Sequence, residues 1–272
     1  MAQRLLIAGG AVIVLGLAIV AFTVFRTPES ASAPIAALPI TEATTASTAP
    51  ATTEPPTASP APAIPEVTTA STAAAAAEAT QIPTASGQTS TASASQIFEI
   101  VSAESEARFL IDEVLRGAPV TVIGATDQVA GQIALDPSAP QVVKVGTIQI
   151  NARTLATDND FRNRAIKNAI LQTDSFEFIT FTPTTISGMP ESVTVGTPFS
   201  FQMSGDLTVK DTTKAVTFEV TVTPMSETEI SGTATTSVQY RELGLTIPDS
   251  PAVDTIADDV RLELTFIARS VA

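Results

Sequence analysis

Over residues 97–272 apolar and polar side chains alternate, and a period of two admits strands and little else. In TKAVTFEVTVT, Val216, Phe218, Val220 and Val222 fall on one side and Thr217, Glu219, Thr221 and Thr223 on the other. In DVRLELTFIA, Val260, Leu262, Leu264, Phe266 and Ala268 oppose Arg261, Glu263, Thr265 and Ile267. Each segment predicts a half-buried antiparallel strand with one wet face. IFEIV (97–101), PVTVIG (119–124), QVAGQIALD (128–136), VVKVGTIQINA (142–152), FEFITFTPTTI (176–186), PFSFQMSGDLTV (198–209) and ISGTATTSVQY (230–240) read the same way, and Gly, Pro, Asp and Ser between them supply turns. About eight strands in one domain predict a sandwich or an up-and-down barrel. ESEARFLIDEVLR (104–116) is the exception. There Phe109, Leu110, Val114 and Leu115 form a helical stripe, so the pattern alone predicts helix.

Two segments of different character precede this domain. Residues 5–25, LLIAGGAVIVLGLAIVAFTVF, are an uncharged apolar run bracketed by Arg4 and Arg26. About 20 such residues cross the hydrocarbon core as a helix, so residues 1–26 predict a transmembrane anchor. A cleaved signal peptide is the rival reading, with Ala31-Ser32-Ala33 as its cleavage site, although its apolar segment usually runs about 7–15 residues. Arg4 and the amino terminus outweigh Arg26 and favour a cytoplasmic N-terminus, which puts the rest of the chain outside the cytoplasm. Residues 27–96 are rich in Ala, Thr, Ser and Pro, with ten prolines, no aromatic residue and no Lys or Arg. Such a segment buries too little apolar surface to offset chain entropy and predicts a disordered linker or O-glycosylated stalk. As a flexible coil its ends would lie about 45 Å apart.

The absent residues narrow the function. With no cysteine and no histidine, a disulfide framework, a Ser-His-Asp triad and a histidine- or thiolate-bound metal are all excluded. No catalytic residue, metal or cofactor is expected. A net charge of −14 excludes nucleic acid as a partner, because a phosphate backbone requires clustered Lys and Arg.

INARTLATDNDFRNRAI (150–166) concentrates charge in this apolar chain. A calcium loop counted from Asp158 would need Gly at its sixth position and Glu at its twelfth, where Asn163 and Ala169 stand. Arg153, Arg162 and Arg164 suit ion pairs with Asp158 and Asp160 better than acid–base chemistry. The stretch predicts a short helix capped by Thr157 or Asp158 and running to about Leu171, with Phe161, Ala165, Ile166, Ala169 and Ile170 as its buried stripe.

The ordered segments INARTLATDNDFRNRAI, SFEFITFTPTTI, SGDLTVKDTTKAVTFEVTV, YRELGLTI and DDVRLELTFIA resemble the YceI-like family of lipid-binding domains over nearly all of 97–272. The hairpin from Gly205 to Val216 is the most specific part of the match. The resemblance implies an eight-stranded antiparallel lipocalin-like barrel with a short helix, and it turns ARFLIDEVL into a strand. It also implies an apolar interior that holds a polyisoprenoid, such as an isoprenoid quinone or alcohol. The family's Arg-x-Asp-Phe-Gly turn reads Tyr240-Arg241-Glu242-Leu243-Gly244 here. Phe109, Ile111, Phe176, Phe178, Phe201, Met203, Phe218 and Phe266 are the candidate cavity wall, or else ordinary core. The expected function is a membrane-tethered, extracytoplasmic isoprenoid-lipid binder, with the membrane held through residues 5–25 and a second copy as a further candidate partner. The alternative is a filled structural or adhesive module on a stalk.

Overall fold

The computed structural model describes residues 26–40, 95–136 and 139–271, all within one compact unit; residues 1–25 of the predicted anchor and residues 41–94 of the predicted linker lie outside them. Twelve strands form one sheet: β1 (Gln96–Ile100), β2 (Glu106–Leu115), β3 (Ala118–Thr126), β4 (Val129–Ala130), β5 (Gln132–Leu135), β6 (Lys144–Val145), β7 (Ile148–Asn151), β8 (Phe178–Ser187), β9 (Phe199–Val209), β10 (Thr212–Pro224), β11 (Glu229–Gln239) and β12 (Val253–Val271). Neighbours run β4-β7-β8-β9-β10-β11-β12-β1-β5-β6, with β2 on β12 and β3 on β2. All these pairings are antiparallel.

The 19-residue β12 organises the sheet. One edge carries β11, and the other carries β2 over Val253–Thr265 and β1 over Ala268–Val271. Register shifts within β12, between Val253 and Thr255 and between Ile256 and Val260, bend the strand, and β8 shifts at Pro183, where the ring has no N–H to give to a ladder. The sheet curls into a half-barrel. Its β3 side meets the chain after β7 through the Ala125–Ala156 bridge and a 2.6 Å hydrogen bond between the Thr126 and Thr154 hydroxyls.

The all-β antiparallel fold with one short helix is as expected, but the eight-stranded barrel is corrected to a curled half-barrel of twelve strands among the described residues. Two segments read as single strands each divide: VVKVGTIQINA becomes β6, which pairs with β5, and β7, which pairs with β4 and β8. QVAGQIALD becomes β4, which pairs with β7, and β5, which pairs with β1 and β6. The break falls at Gly131, where an added Cβ would lie 2.4 Å from Ile148 Cδ1 and 3.2 Å from Ile100 Cδ1, so a larger residue would force those side chains to move.

Residues 106–115 form a strand, as the family resemblance implied and the local pattern did not. Placed between β12 and β3, this segment gains two hydrogen-bonding ladders, which outweigh its helical stripe. The expected helix forms as α1 (Asp160–Ala165) and continues as a π-helical turn over Ile166–Ile170. Its cap is Asn159 rather than Thr157 or Asp158: the Asn159 side chain accepts from the amides of Phe161 (2.9 Å) and Arg162 (3.1 Å). Thr157 is already committed, its amide and hydroxyl both donating to Asn163 Oδ1 at 2.7 and 2.8 Å. Of the predicted stripe, Ile166 is buried and Ala165, Ala169 and Ile170 are half-buried, whereas Phe161 is 67% exposed.

Candidate functional site

The inward faces of the sheet and α1 enclose a cavity of about 840 Å³. Along β2 every second residue (Ala107, Phe109, Ile111, Glu113 and Leu115) lines it. Met203, Leu207 and Val209 enter from β9, Phe218 from β10, Ala234 and Val238 from β11, and Ile166 and Ile170 from the helix and its π-turn. The period of two thus places apolar groups on the wall of a void, and small residues keep that void open. Phe109 packs over Gly124, and Phe181 packs over Gly205, where an added Cβ would lie 2.1 and 2.8 Å from the respective ring. The exposed lining residues, Phe161, Arg116 and Pro248–Pro251, gather at one end and define the mouth.

Of the predicted wall, Phe109, Ile111, Met203 and Phe218 border the cavity. Phe201 and Phe266 are buried but fill the other end of the sheet: Phe201 stacks on Phe199 at 6.1 Å, and Phe266 covers Gly232. Phe178 lies on the outer face and is 38% exposed, while Phe176 precedes the strand and is half-buried. The inward parity of β8 belongs instead to Ile179 and Phe181, which line the cavity. Tyr240, the sole tyrosine, also lines it and is buried.

Glu113 is absent from the sequence expectations, and Arg162 enters them only as an ion-pair partner of the nearby aspartates. Glu113 stands at an inward position of β2, is 7% exposed, and accepts from Arg162 Nη2 at 3.1 Å. Arg162, in the first turns of α1, also donates to Asp158 at 2.6 Å. The signal available was a carboxylate at apolar parity in ARFLIDEVL once that segment is taken as a strand.

Arg153, in the same 150–166 stretch, finds its partners outside it. It donates to the carbonyls of Thr173 (2.9 Å), Asp174 (3.0 Å) and Ser30 (3.1 Å), and pairs with Glu29 (2.9 Å) and Glu177 (3.2 Å). Glu177 in turn accepts from the Ser32 amide (2.8 Å), the Ser32 hydroxyl (2.7 Å) and Asn151 Nδ2 (2.9 Å). Burial pushes the Glu177 carboxyl up, but the Ser32 and Asn151 hydrogen bonds and the charge of Arg153 outweigh it and hold it below its ordinary value. Residues 26–40 are thereby docked on the domain. Arg26 pairs with Asp174 and accepts from Asn168 Nδ2 at 2.8 Å through its carbonyl, and the Ile40 amide donates to Gln132 at 3.2 Å. The first part of the segment read as linker is thus an ordered strap. Among the described residues, no group of three His, Cys, Asp or Glu side chains could hold a metal, and no helix is long and apolar enough to cross a membrane.

An antiparallel half-barrel around an apolar cavity is the class of fold these elements define, and a concave apolar pocket of this kind is the usual form of a small-molecule site. The YceI-like domain family model matches residues 98–268, and the chain belongs to that family. Its fold is similar to that of a polyisoprenoid binding domain from Saccharophagus degradans implicated in plant cell wall breakdown, with a TM-score of 0.52 and 14% identity, covering 65% of this chain and 99% of that one. It is also similar to BcnA from Burkholderia cenocepacia, with a TM-score of 0.50 and 16% identity, covering 62% of this chain and 98% of that one. No match was found among curated proteins.

Proposed function

We propose that this protein binds one isoprenoid-type lipid, a polyisoprenoid or isoprenoid quinone, with its tail in the cavity, and performs no covalent chemistry. The observation that carries this reading is a void of about 840 Å³ walled by Phe109, Ile111, Leu207, Phe218, Ala234 and Leu264 and open at one end. It falls within the range of about 300–1,000 Å³ typical of ligand sites. The polyisoprenoid named for the Saccharophagus degradans domain supports the same cargo class. A structural or adhesive module would have no need of such a void, so lipid binding is the better reading.

The apolar run at residues 5–25 would hold the domain at a membrane, on its extracytoplasmic side. Because the docked strap begins at Arg26, one residue after that run, the domain would lie at the membrane surface rather than at the far end of a stalk. Lipid would then be collected where it resides.

Tyr240 provides the test, since the chain has one tyrosine and no tryptophan and this ring lines the cavity. Titration with an isoprenoid quinone should quench its emission saturably, with one quinone per chain. Emission that falls only in proportion to added quinone, as with free tyrosine, would refute the reading.

A further inference from the structure

We infer that the mouth of the cavity selects an isoprenoid with an uncharged oxygen-bearing head, a quinone or an alcohol, over a prenyl phosphate, and that the Glu113–Arg162 pair makes the selection. This rests on the lipid reading above and specifies its head-group chemistry.

Glu113 breaks the rule that its own strand obeys. Ala107, Phe109, Ile111 and Leu115 are the apolar residues of the same inward row, yet a nearly buried carboxylate stands among them. Burying a charge is unfavourable unless it is paired, and well-packed apolar residues commonly serve a fold as well as a buried ion pair does. A local rule broken on the wall of a cavity points to function. The pair also stands at the right place. Glu113 faces Ile256 of β12 and Val120 of β3 in register, one inward step from Leu115 and beside the exposed Arg116. Asn159, Phe161 and Arg162, from the cap and first turn of α1, complete that end of the lining. Further in, the inward row of β2 is apolar at Ile111, Phe109 and Ala107, so a long amphiphile enters tail first and leaves its head at the pair.

The charge balance decides which head is accepted. Arg162 is shared between two carboxylates, Asp158 at 2.6 Å and Glu113 at 3.1 Å, which leaves no surplus positive charge. The other charged lining residues, Arg108, Arg116, Asp249 and Glu263, cancel in sign. A prenyl phosphate would bring its negative charge against Glu113 and Asp158, with no surplus of positive charge at the mouth to offset the repulsion and the lost hydration. A neutral head meets no such opposition. A guanidinium has about five N–H donors, so Arg162 retains donors for a quinone carbonyl. The carboxylate of Glu113 can accept a hydrogen bond from the O–H of an alcohol.

The test uses the full chain in detergent and four probes of one prenyl length: hydrocarbon, alcohol, quinone and monophosphate. Binding is read by native mass spectrometry. The alcohol and the quinone should bind at least tenfold more tightly than the monophosphate. Glu113→Gln should raise monophosphate affinity at least fivefold while changing quinone affinity less than threefold, a gain that misfolding cannot produce. Arg162→Met should bring the alcohol and the quinone down to the level of the hydrocarbon and leave the hydrocarbon unchanged. Monophosphate bound as tightly as the alcohol by the native chain, or Glu113→Gln without effect on it, would overturn the head-group inference and leave the lipid reading intact. Failure of all four probes would overturn the lipid reading itself.

Discussion

Replacing Ala234 with phenylalanine separates an open cavity from a filled core. Ala234 stands on β11 between Val220 and Leu264 in register, is nearly fully buried, and lines the cavity. A phenyl ring there would displace about one isoprenyl unit, roughly five carbons, at about 0.8 kcal/mol for each carbon no longer buried. The loss is about 4 kcal/mol, close to a thousandfold in Kd. A longer tail gives no escape, because the displaced unit is pushed to the mouth and exposed there. The unliganded protein should tolerate the ring, which occupies empty space. In a filled core the same ring would overpack, at about 1–3 kcal/mol. For a domain of this size each kcal/mol lowers Tm by about 2–4 °C. Thermal unfolding followed by circular dichroism, alongside quinone titration of Tyr240 emission, reads both quantities. A clear fall in Tm with quinone binding unchanged would refute the cavity account.

The strap and the glycine positions give further expectations. Arg153→Met leaves Glu177 nearly buried without its cation, and loss of one partner from such a pair should destabilise the domain by about 3 kcal/mol and raise amide exchange over residues 26–32. Glu29→Ala should cost under about 1 kcal/mol, because Glu29 is 61% exposed and its pairing is screened by water. The Glu177 carboxyl has a folded pKa below its unfolded one, so its contribution is complete above the unfolded value and is lost as pH falls through the folded value. The Ser32 amide resonance should therefore titrate at a pH below the ordinary glutamate range; a midpoint at or above that range would contradict the bonding described. Gly205→Ala would place a Cβ 2.4 Å from the Thr182 carbonyl and 2.8 Å from Pro183 Cα, both backbone atoms, and should lower Tm by several degrees, whereas an unchanged Tm would show that β8 and β9 can separate.

Much of this architecture is legible in the sequence because strand parity is a local property. The alternation around Phe218 and along Val260–Ala268 corresponds to the buried and exposed faces of β10 and β12. Parity failed where the sequence offered aromatic residues on both faces: in FEFITF the eye takes Phe176 and Phe178, but burial selects Ile179 and Phe181. The division of QVAGQIALD was hidden for a different reason. Nothing local reveals that Gly131 must let Ile148 pass, since that crossing depends on a segment 17 residues later. Arg153 showed its charge in the sequence but not its partners, because Glu29, Ser30 and Ser32 lie more than 120 residues upstream in a segment whose composition gives no sign of order. Glu113 was legible only after its segment was known to be a strand. The half-barrel's void is the least local feature, since it depends on how completely Phe109, Phe181 and Phe218 fill the space they share.

The most direct test of the central claim is native mass spectrometry of the full chain purified from a lipid-producing host, followed by organic extraction of the same sample. The account predicts one additional mass per chain, which extracts as a neutral prenyl lipid. A bare protein mass that persists after incubation with isoprenoid quinones would contradict it.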